Sequence, residues 1–484
     1  MAKEFIVAIE LGSSKMTGIA GKKNMDGSFT VLSVAKEDST SCIRKGIVYN
    51  NDKTVQCLTN IVKKLETNLK TKIAHVYVGV GGQSIRSMRN IIAKDLPADT
   101  IVSQDMVNEL MDANRNMTYP DQEILDAVIH EYKVDMQYQL DPVGIQCTRL
   151  EGNFLNILWR KAFYRKLNQC FDNAGIAIAE MYLAPLALAD SVLNESEKRS
   201  GCVLVDLGAD TTTVSLYYKN ILRHLAVIPM GSNNITKDIA SMQMEEHDAE
   251  KMKLKYANAF TDNNEIDNTL MLPIDSDRDV ESRKFIELVE ARVQEIIENI
   301  WFQVPNDYAD KLLGGLIITG GGSNMKNIEK AFRNYTHIEK IRIAKFINQT
   351  INSKNMEIAN HDGTMNTVLG LMVKGDMNCA GDEITGDLFD QSETKPVSTA
   401  DLHKNPRPIT ETIGRGVVQT EAEKLKAEEE ARRKKEAEEE AAIIATREEA
   451  ERQERETKKK ENNVWHKIVR CIKDFGKKII QEEE

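Results

Sequence analysis

Hydrophobic positions come in short runs between turn residues over the first three-quarters of the chain, and the pattern stops near residue 376. FIVAIE ends just before Gly12, HVYVGVGG covers His75 to Gly82, and CVLVDLG covers Cys202 to Gly208. TTTVSLYY and ILRHLAVIPM follow as two more strand-like runs, and GLIITGGG closes in glycines at 320–322. Continuous apolar runs of this length suit strands covered on both faces. Glu281 to Trp301 instead sets Phe285, Leu288, Val289, Val293, Ile296, Ile297 and Ile300 at three/four spacing, which predicts a helix. Strands alternating with helices predict an α/β fold. At 484 residues the chain is too long for one core and predicts roughly two to four units.

Three different patterns follow. Residues 376–420 carry Asp, Ser, Thr, Gly and three prolines without an apolar period, and read as a disordered linker. Residues 421–461 hold 15 Glu and 12 Lys plus Arg, with i,i+4 pairs such as Glu428/Arg432 and no heptad seam. They read as a charged helical or disordered spacer, about 60 Å long if helical. In 462–484, Trp465, Ile468, Val469, Ile472, Phe475 and Ile479 share one helical face, and Lys467, Arg470, Lys473 and Lys477 flank it. An apolar stripe beside basic residues suits a membrane interface with anionic headgroups. A helix docked on a folded domain or a partner is the alternative.

Charge and cysteines narrow the function classes. A net charge of −11 excludes a strongly basic body and argues against nucleic acid as a partner. Seven widely spaced cysteines without a CxxC read as reduced cytosolic thiols. MAKEFIVAIELG lacks the regions of a signal peptide, and no stretch reaches the roughly 18 apolar residues of a spanning helix. The expectation is a cytosolic protein, anchored only by its tail.

Candidate chemistry sits in three loops, each a strand followed by a Gly-, Ser- or Thr-rich turn with an acid beside it. In AIELGSSKMTG, Gly12 lets backbone approach an anion, Ser13 and Ser14 offer hydroxyl and N–H donors, Lys15 adds positive charge, and Glu10 can hold Mg²⁺ directly or through water. In LVDLGADTTTV, Asp206 is placed for the metal, and Gly208, Ala209, Asp210, Thr211 and Thr212 form a second phosphate turn. In ITGGGSNMKNI, Gly320, Gly321 and Gly322, with Asn324, end a strand and lead into a helix, leaving bare backbone for a base or ribose. Any one loop is explained by an ordinary hairpin. None is a P-loop, and none matches GxGxxG well. Two alike hairpins about 195 residues apart, each with a carboxylate at a strand end, predict two related lobes with a nucleotide between them.

This combination resembles the actin, Hsp70 and sugar-kinase superfamily, with the three loops in the places of its phosphate-1, phosphate-2 and adenosine motifs. HDGTMNTVLGLM is similar to its second connecting segment through Thr367, Gly370 and Leu371. AEKMK is similar to its ribose- and base-contacting stretch, which nominates Glu250 and Lys253; an exposed helical salt bridge is the other reading. IRKGIVYN, the stretch from Leu222 to Ala240 (with Pro229, Gly231, Thr236 and Asp238), and VEARVQEII resemble one branch, the FtsA family of bacterial cell-division proteins. Residues 84–160, with SIRSMRN, the helical run IVSQDMVNELMDANRN, and EILDAVIHEYKVD, occupy the place of that family's extra subdomain, 1C.

The resemblance implies an actin-like two-lobe fold of two RNase H-like domains. It assigns 1–83 and 161–200 to subdomain 1A, 84–160 to 1C, 201–233 and 306–375 to 2A, and 234–305 to 2B. It implies ATP and Mg²⁺ as cofactors and self-assembly into protofilaments. It also implies tail binding to the anionic inner face of the cell membrane, tethering of FtsZ through its C-terminal peptide, and contacts with later division proteins through 1C. Arg292 on the VEARVQEII helix is the one candidate cation for that peptide, and a solvated surface arginine is its plainer reading. Two departures bear on chemistry. Glu10 stands where many hydrolytic members carry Asp, and Ala184 precedes Pro185 where hydrolytic relatives have Glu-Pro. Weak or negligible ATPase activity is the expectation. A small-molecule kinase, a pilus-assembly actin homologue and a DNA-segregation ATPase are the rival readings.

Overall fold

The computed structural model describes residues 4–275, 277–383 and 414–433, with 436, 437, 440, 442–444, 447 and 469 beyond them. Two compact units divide the chain, Met1–Glu421 and Ala422–Glu484. In the second, residues 422–433 are helical, with Arg432 paired to Glu436 at 3.4 Å and Leu425 exposed.

The first unit is built on two sheets. One has seven strands in the order Ile351–Asn352, Phe29–Asp38, Lys15–Lys23, Ile6–Leu11, His75–Val80, Ala177–Leu183 and Val417–Val418. The other has nine, and its second-lobe half runs Ile221–Ile228, Thr212–Tyr218, Cys202–Leu207, Gly315–Thr319 and Ile341–Ile343. Both repeat one plan: a three-strand antiparallel meander, then a strand added parallel to its first member. The central strands are buried along most of their length, as their continuous apolar runs predict. The first lobe's core also takes in Cys202, Leu204, Tyr217 and Leu225 of the second sheet, and the second lobe has a further core of its own. Leu58, Ile61 and Leu65 of helix Asn51–Leu69 pack on the first sheet, and Phe285, Val289, Val293, Ile297 and Ile300 of helix Ser282–Phe302 pack on the second. The second helix occupies nearly the predicted range.

Residues 84–160 form an insert of one long strand, one helix and further strands. Strand Arg86–Ile101, helix Gln104–Arg115, strand Gln122–Val134 and strand Gln146–Arg160 enclose a small core around Leu110, Tyr132, Leu150 and Phe154. The Ser103 hydroxyl caps that helix by accepting the Met106 N–H at 3.3 Å. The insert's strands continue the second lobe's sheet, because Arg86 pairs with Ala226.

The linker prediction for 376–420 needs correction at both ends. Cys379 is fully buried, and Ala380–Glu383 pairs with Thr71–Ile73. Val417–Val418 joins the edge of the first sheet, the Gln419 carbonyl accepts the Tyr164 hydroxyl at 2.6 Å, and Val418 and Thr420 are buried. Short β-pairings with few apolar residues carry no periodic signal, so composition reads them as linker. Among the described residues no helix is long and apolar enough to cross a membrane. Of the predicted tail-helix residues only Val469 is described, and it is exposed. Trp465, Ile468, Ile472, Phe475, Ile479, Lys467, Arg470, Lys473 and Lys477 lie outside the described residues.

Candidate functional site: a cleft between two alike hairpins

The repeat places two carboxylates in equivalent positions. Glu10 is the penultimate residue of its strand and pairs with Thr17; Asp206 is the penultimate residue of its strand and pairs with Thr213. Each strand then turns sharply through glycine. A Cβ on Gly12 would stand 2.5 Å from the Lys15 carbonyl oxygen, and one on Gly208 would stand 2.7 Å from that of Thr211. The first turn is fixed by Ser39, which donates its hydroxyl to the Gly12 carbonyl at 2.6 Å and its N–H to that of Ser14 at 3.2 Å. The second is fixed by helix Ser232–Ala240, whose Ser232 and Asn233 N–H groups reach the carbonyls of Gly208 and Ala209 at 3.0 and 2.7 Å.

Both turns face one cleft of about 1040 Å³. The lobes contribute Glu10, Gly12, Ser13, Ser14 and Lys15 from one side, and Asp206, Gly208, Ala209, Thr211, Glu250, Lys253, Gly320, Gly321, Gly322 and Asn324 from the other. Fifteen of the seventeen residues proposed from sequence for nucleotide or metal therefore converge on this cleft. Asp210 and Thr212 stand outside its described lining. The Thr212 hydroxyl is turned to the Met230 carbonyl at 2.9 Å, and Asp210 accepts from Lys45 N–H and the Asn233 amide. Along an extended strand alternate side chains face opposite ways, and Thr211 and Thr213 point into the cleft where Thr212 does not.

The acids carry the main electrostatic signature. Burial pushes the Glu10 carboxyl up to about 8, with Asp206 adding to the effect and Lys36 opposing it. The Val368 N–H, at the start of helix Asn366–Lys374, donates to Glu10 and favours its charged form. Burial alone pushes Asp206 up to about 6. Two acids held this way are relieved when a cation joins them, so the donor set suits a hard divalent ion. Gly320, at φ +84°, closes the other side. A Cβ there would lie 2.4 Å from Asp206 Oδ1, so only glycine brings backbone this near the carboxylate. After it the chain makes a 3₁₀ turn, Gly321–Asn324, and the helix starts only at Ile328. The Asn324 amide spans this turn to the Asp362 carbonyl at 2.8 Å.

Lys253 and Glu250 are paired at 2.7 Å, but not as an exposed helical bridge. Lys253 is buried and donates to Thr236 Oγ1 at 2.9 Å, and the Thr236 hydroxyl donates to Glu250 Oε2 at 2.6 Å. The Ser13 hydroxyl accepts Gly46 N–H at 2.8 Å and so braces the turn from within. Lys36 was missed. It pairs with Thr17, in register with Glu10, lines the cleft, and holds Glu357 at 2.9 Å. Register is the signal that finds it, because Val227 occupies the matching place of the second lobe and the repeat gives no hint. Ala184 and Pro185 start helix Ala184–Val192 and line the cleft with a methyl group where an acid was looked for. Arg292 is not a solvated cation. It grips Asp238 through two bonds (2.5 and 3.0 Å) and also reaches Glu295, tying helix Ser282–Phe302 to helix Ser232–Ala240.

Residues 203–370 match the family model "Cell division protein FtsA", and residues 82–158 match "SHS2 domain inserted in FTSA", which covers the insert described above. The cell division protein FtsA of Porphyromonas gingivalis is 31% identical over 80% of this chain and 82% of its own length. That of Neisseria meningitidis serogroup B is 30% identical over 67% of this chain and 80% of its own. Among solved structures, a chain of a PilM-PilN type IV pilus biogenesis complex shares the fold at TM-score 0.53 and 12% identity, over 76% of this chain and 97% of that one. The two repeated lobes and the SHS2 insert make an actin-like α/β fold, and with relatives this similar over most of its length the chain belongs to the FtsA family of cell-division proteins.

Proposed function

We propose that this chain binds ATP with Mg²⁺ in the cleft, polymerises on the cytoplasmic face of the bacterial membrane, and there tethers FtsZ filaments at the division septum. The observation that supports it best is the pair of register-equivalent hairpins, with Glu10 and Asp206 facing one cleft. The turns Gly12–Lys15 and Gly208–Thr211 are the phosphate cradles, with Lys15 and Lys36 as the nearby cations. Glu10 and Asp206 would hold the metal, directly or through water, and its bound charge would offset that of the phosphates. Gly320 to Gly322 leave backbone open to ribose or base, beside Glu250 and Lys253. With Ala184 at the head of its helix, slow hydrolysis is expected.

The remaining assignments rest on family membership and the sequence of the tail. Residues 462–484 lie on anionic lipid, the filament is made of copies of this chain, the FtsZ C-terminal peptide is the partner of the second lobe, and later division proteins meet the insert. One short amphipathic helix binds weakly, so assembly supplies the avidity. The test is co-sedimentation with anionic vesicles and Mg-ATP, comparing the full chain with a 1–462 truncation and adding FtsZ as a third component. Full-length protein that pellets and carries FtsZ with it, beside a soluble truncation, supports the reading. Equal behaviour of both forms overturns the tail's role, and FtsZ left in the supernatant overturns the tether.

A further inference from the structure

Asp210 was proposed as a phosphate-turn residue, yet its side chain leaves the cleft and crosses to the other lobe. Its Oδ2 accepts the Lys45 N–H at 3.2 Å, and its Oδ1 accepts the Asn233 amide at 2.8 Å, which fixes its direction. Lys45 and Gly46 both have positive φ, 51° and 71°, so the turn aims successive N–H groups outward. The first meets Asp210 of the second lobe; the second meets Ser13 of the first. Such a turn is a small anion-binding nest, and here a carboxylate of the protein is its anion.

The same turn is joined to the roots of the insert. The Lys45 carbonyl accepts the Gln83 N–H at 2.8 Å, and the Gln83 carbonyl accepts the Trp159 indole N–H at 3.0 Å. Gln83 lies where the chain enters the insert, and Trp159 where it leaves. Gly46 and Gly82 touch backbone to backbone; a Cβ on Gly82 would stand 2.2 Å from the Gly46 carbonyl oxygen, so this joint has no slack. Two residues further on, the Ile85 carbonyl accepts the Val227 N–H of the second lobe at 3.1 Å. One cross-lobe tie therefore ends on the turn that holds the insert's entry root, and the other on that root itself.

We propose that Asp210 is a latch between the lobes, and that through Lys45 and Gln83 it couples the opening of the cleft to the orientation of the insert. The latch itself follows from these contacts. That a nucleotide works it rests on the proposed function. Asp210 is a positioning residue, acting on the insert through a turn, with no contact to a phosphate required.

Backbone hydrogen exchange of the full-length protein tests this without nucleotide, comparing wild type with Asp210→Ala. Loss of one charge-assisted bond is expected to speed exchange in 43–49 and in 83–88 by roughly tenfold, with Ile6–Leu11 unchanged. Asn233→Ala leaves the carboxylate but frees its direction, and is expected to give the same pattern at smaller amplitude; it carries the test if Asp210→Ala does not fold. Unchanged exchange at 43–49 overturns the latch. Faster exchange at 43–49 with none at 83–88 overturns the coupling. If the variants behave as expected but Mg-ATP leaves wild-type exchange unaltered, the latch stands and the nucleotide reading falls.

Discussion

Asp126 accepts the backbone N–H of Gly416 at 2.8 Å, across 290 positions of sequence. Gly414 donates to the same carboxylate at 3.1 Å, and Leu183 N–H reaches the Gly416 carbonyl at 2.7 Å. A strand predicted to be linker thus clasps the insert to the edge of the first lobe. Residues read as linker are folded onto the first lobe as far as Thr420.

The clasp has a pH signature. Burial raises Asp126 from 3.8 to about 6, against the lowering effect of the glycine N–H groups. A carboxyl raised by folding binds protons more readily in the folded state. Its contribution is therefore fully present below about pH 4 and is lost as pH rises to about 6. Relative to Asp126→Asn, wild type should lose on the order of 3 kcal/mol across that window. Urea midpoints of the two proteins from pH 4 to 7.5 check this, and parallel curves would refute it.

Gly320 and Gly27 separate close approach from backbone strain. Both have positive φ, 84° and 82°, but a Cβ on Gly27 meets nothing within 4 Å. Gly27→Ala should cost about 1 kcal/mol of stability and leave the cleft intact. Gly320→Ala should cost more and should also displace Asp206, lowering ATP affinity in Mg²⁺ by tenfold or more, on the order of 1.4 kcal/mol. Melting curves and nucleotide titrations of both variants decide it; equal losses in the two would show that strain alone matters.

Arg292→Ala bears on a different surface. It strands Asp238, which is about a quarter exposed, so screening limits the loss to about 1 kcal/mol. Arg292→Lys keeps the charge but not the two-pronged grip on Asp238, and should recover only part of it. A variant that melts like wild type but binds an FtsZ C-terminal peptide more weakly than wild type would instead support Arg292 as a peptide contact.

What the sequence disclosed depended on the range of the signal. Glu10, Asp206 and the three glycine turns were legible because each is local: an apolar run, then residues that only a tight turn requires. The helix through Val289 and Val293 was legible from its period. Lys36 was hidden because its place beside Glu10 is set by two strand registers. Asp210 was misplaced because a donor 165 residues away, with the Asn233 amide, decides where it points. Val417 and Val418 were too few to make a period, although Gly414 and Gly416, both at positive φ, mark the bends that seat them. Arg292 carries charge, but its partner Asp238 lies on another helix.

The cleft as a metal-assisted nucleotide site is the central claim, and calorimetric titration of ATP with and without Mg²⁺ tests it most directly. Wild type should bind much more tightly with the metal than without it. Asp206→Asn and Glu10→Gln should each reduce that metal-dependent gain by about tenfold, the effect of removing one charged contact, while melting no lower than wild type. Binding that is absent in wild type, or metal-independent and equal in all three proteins, would contradict the claim.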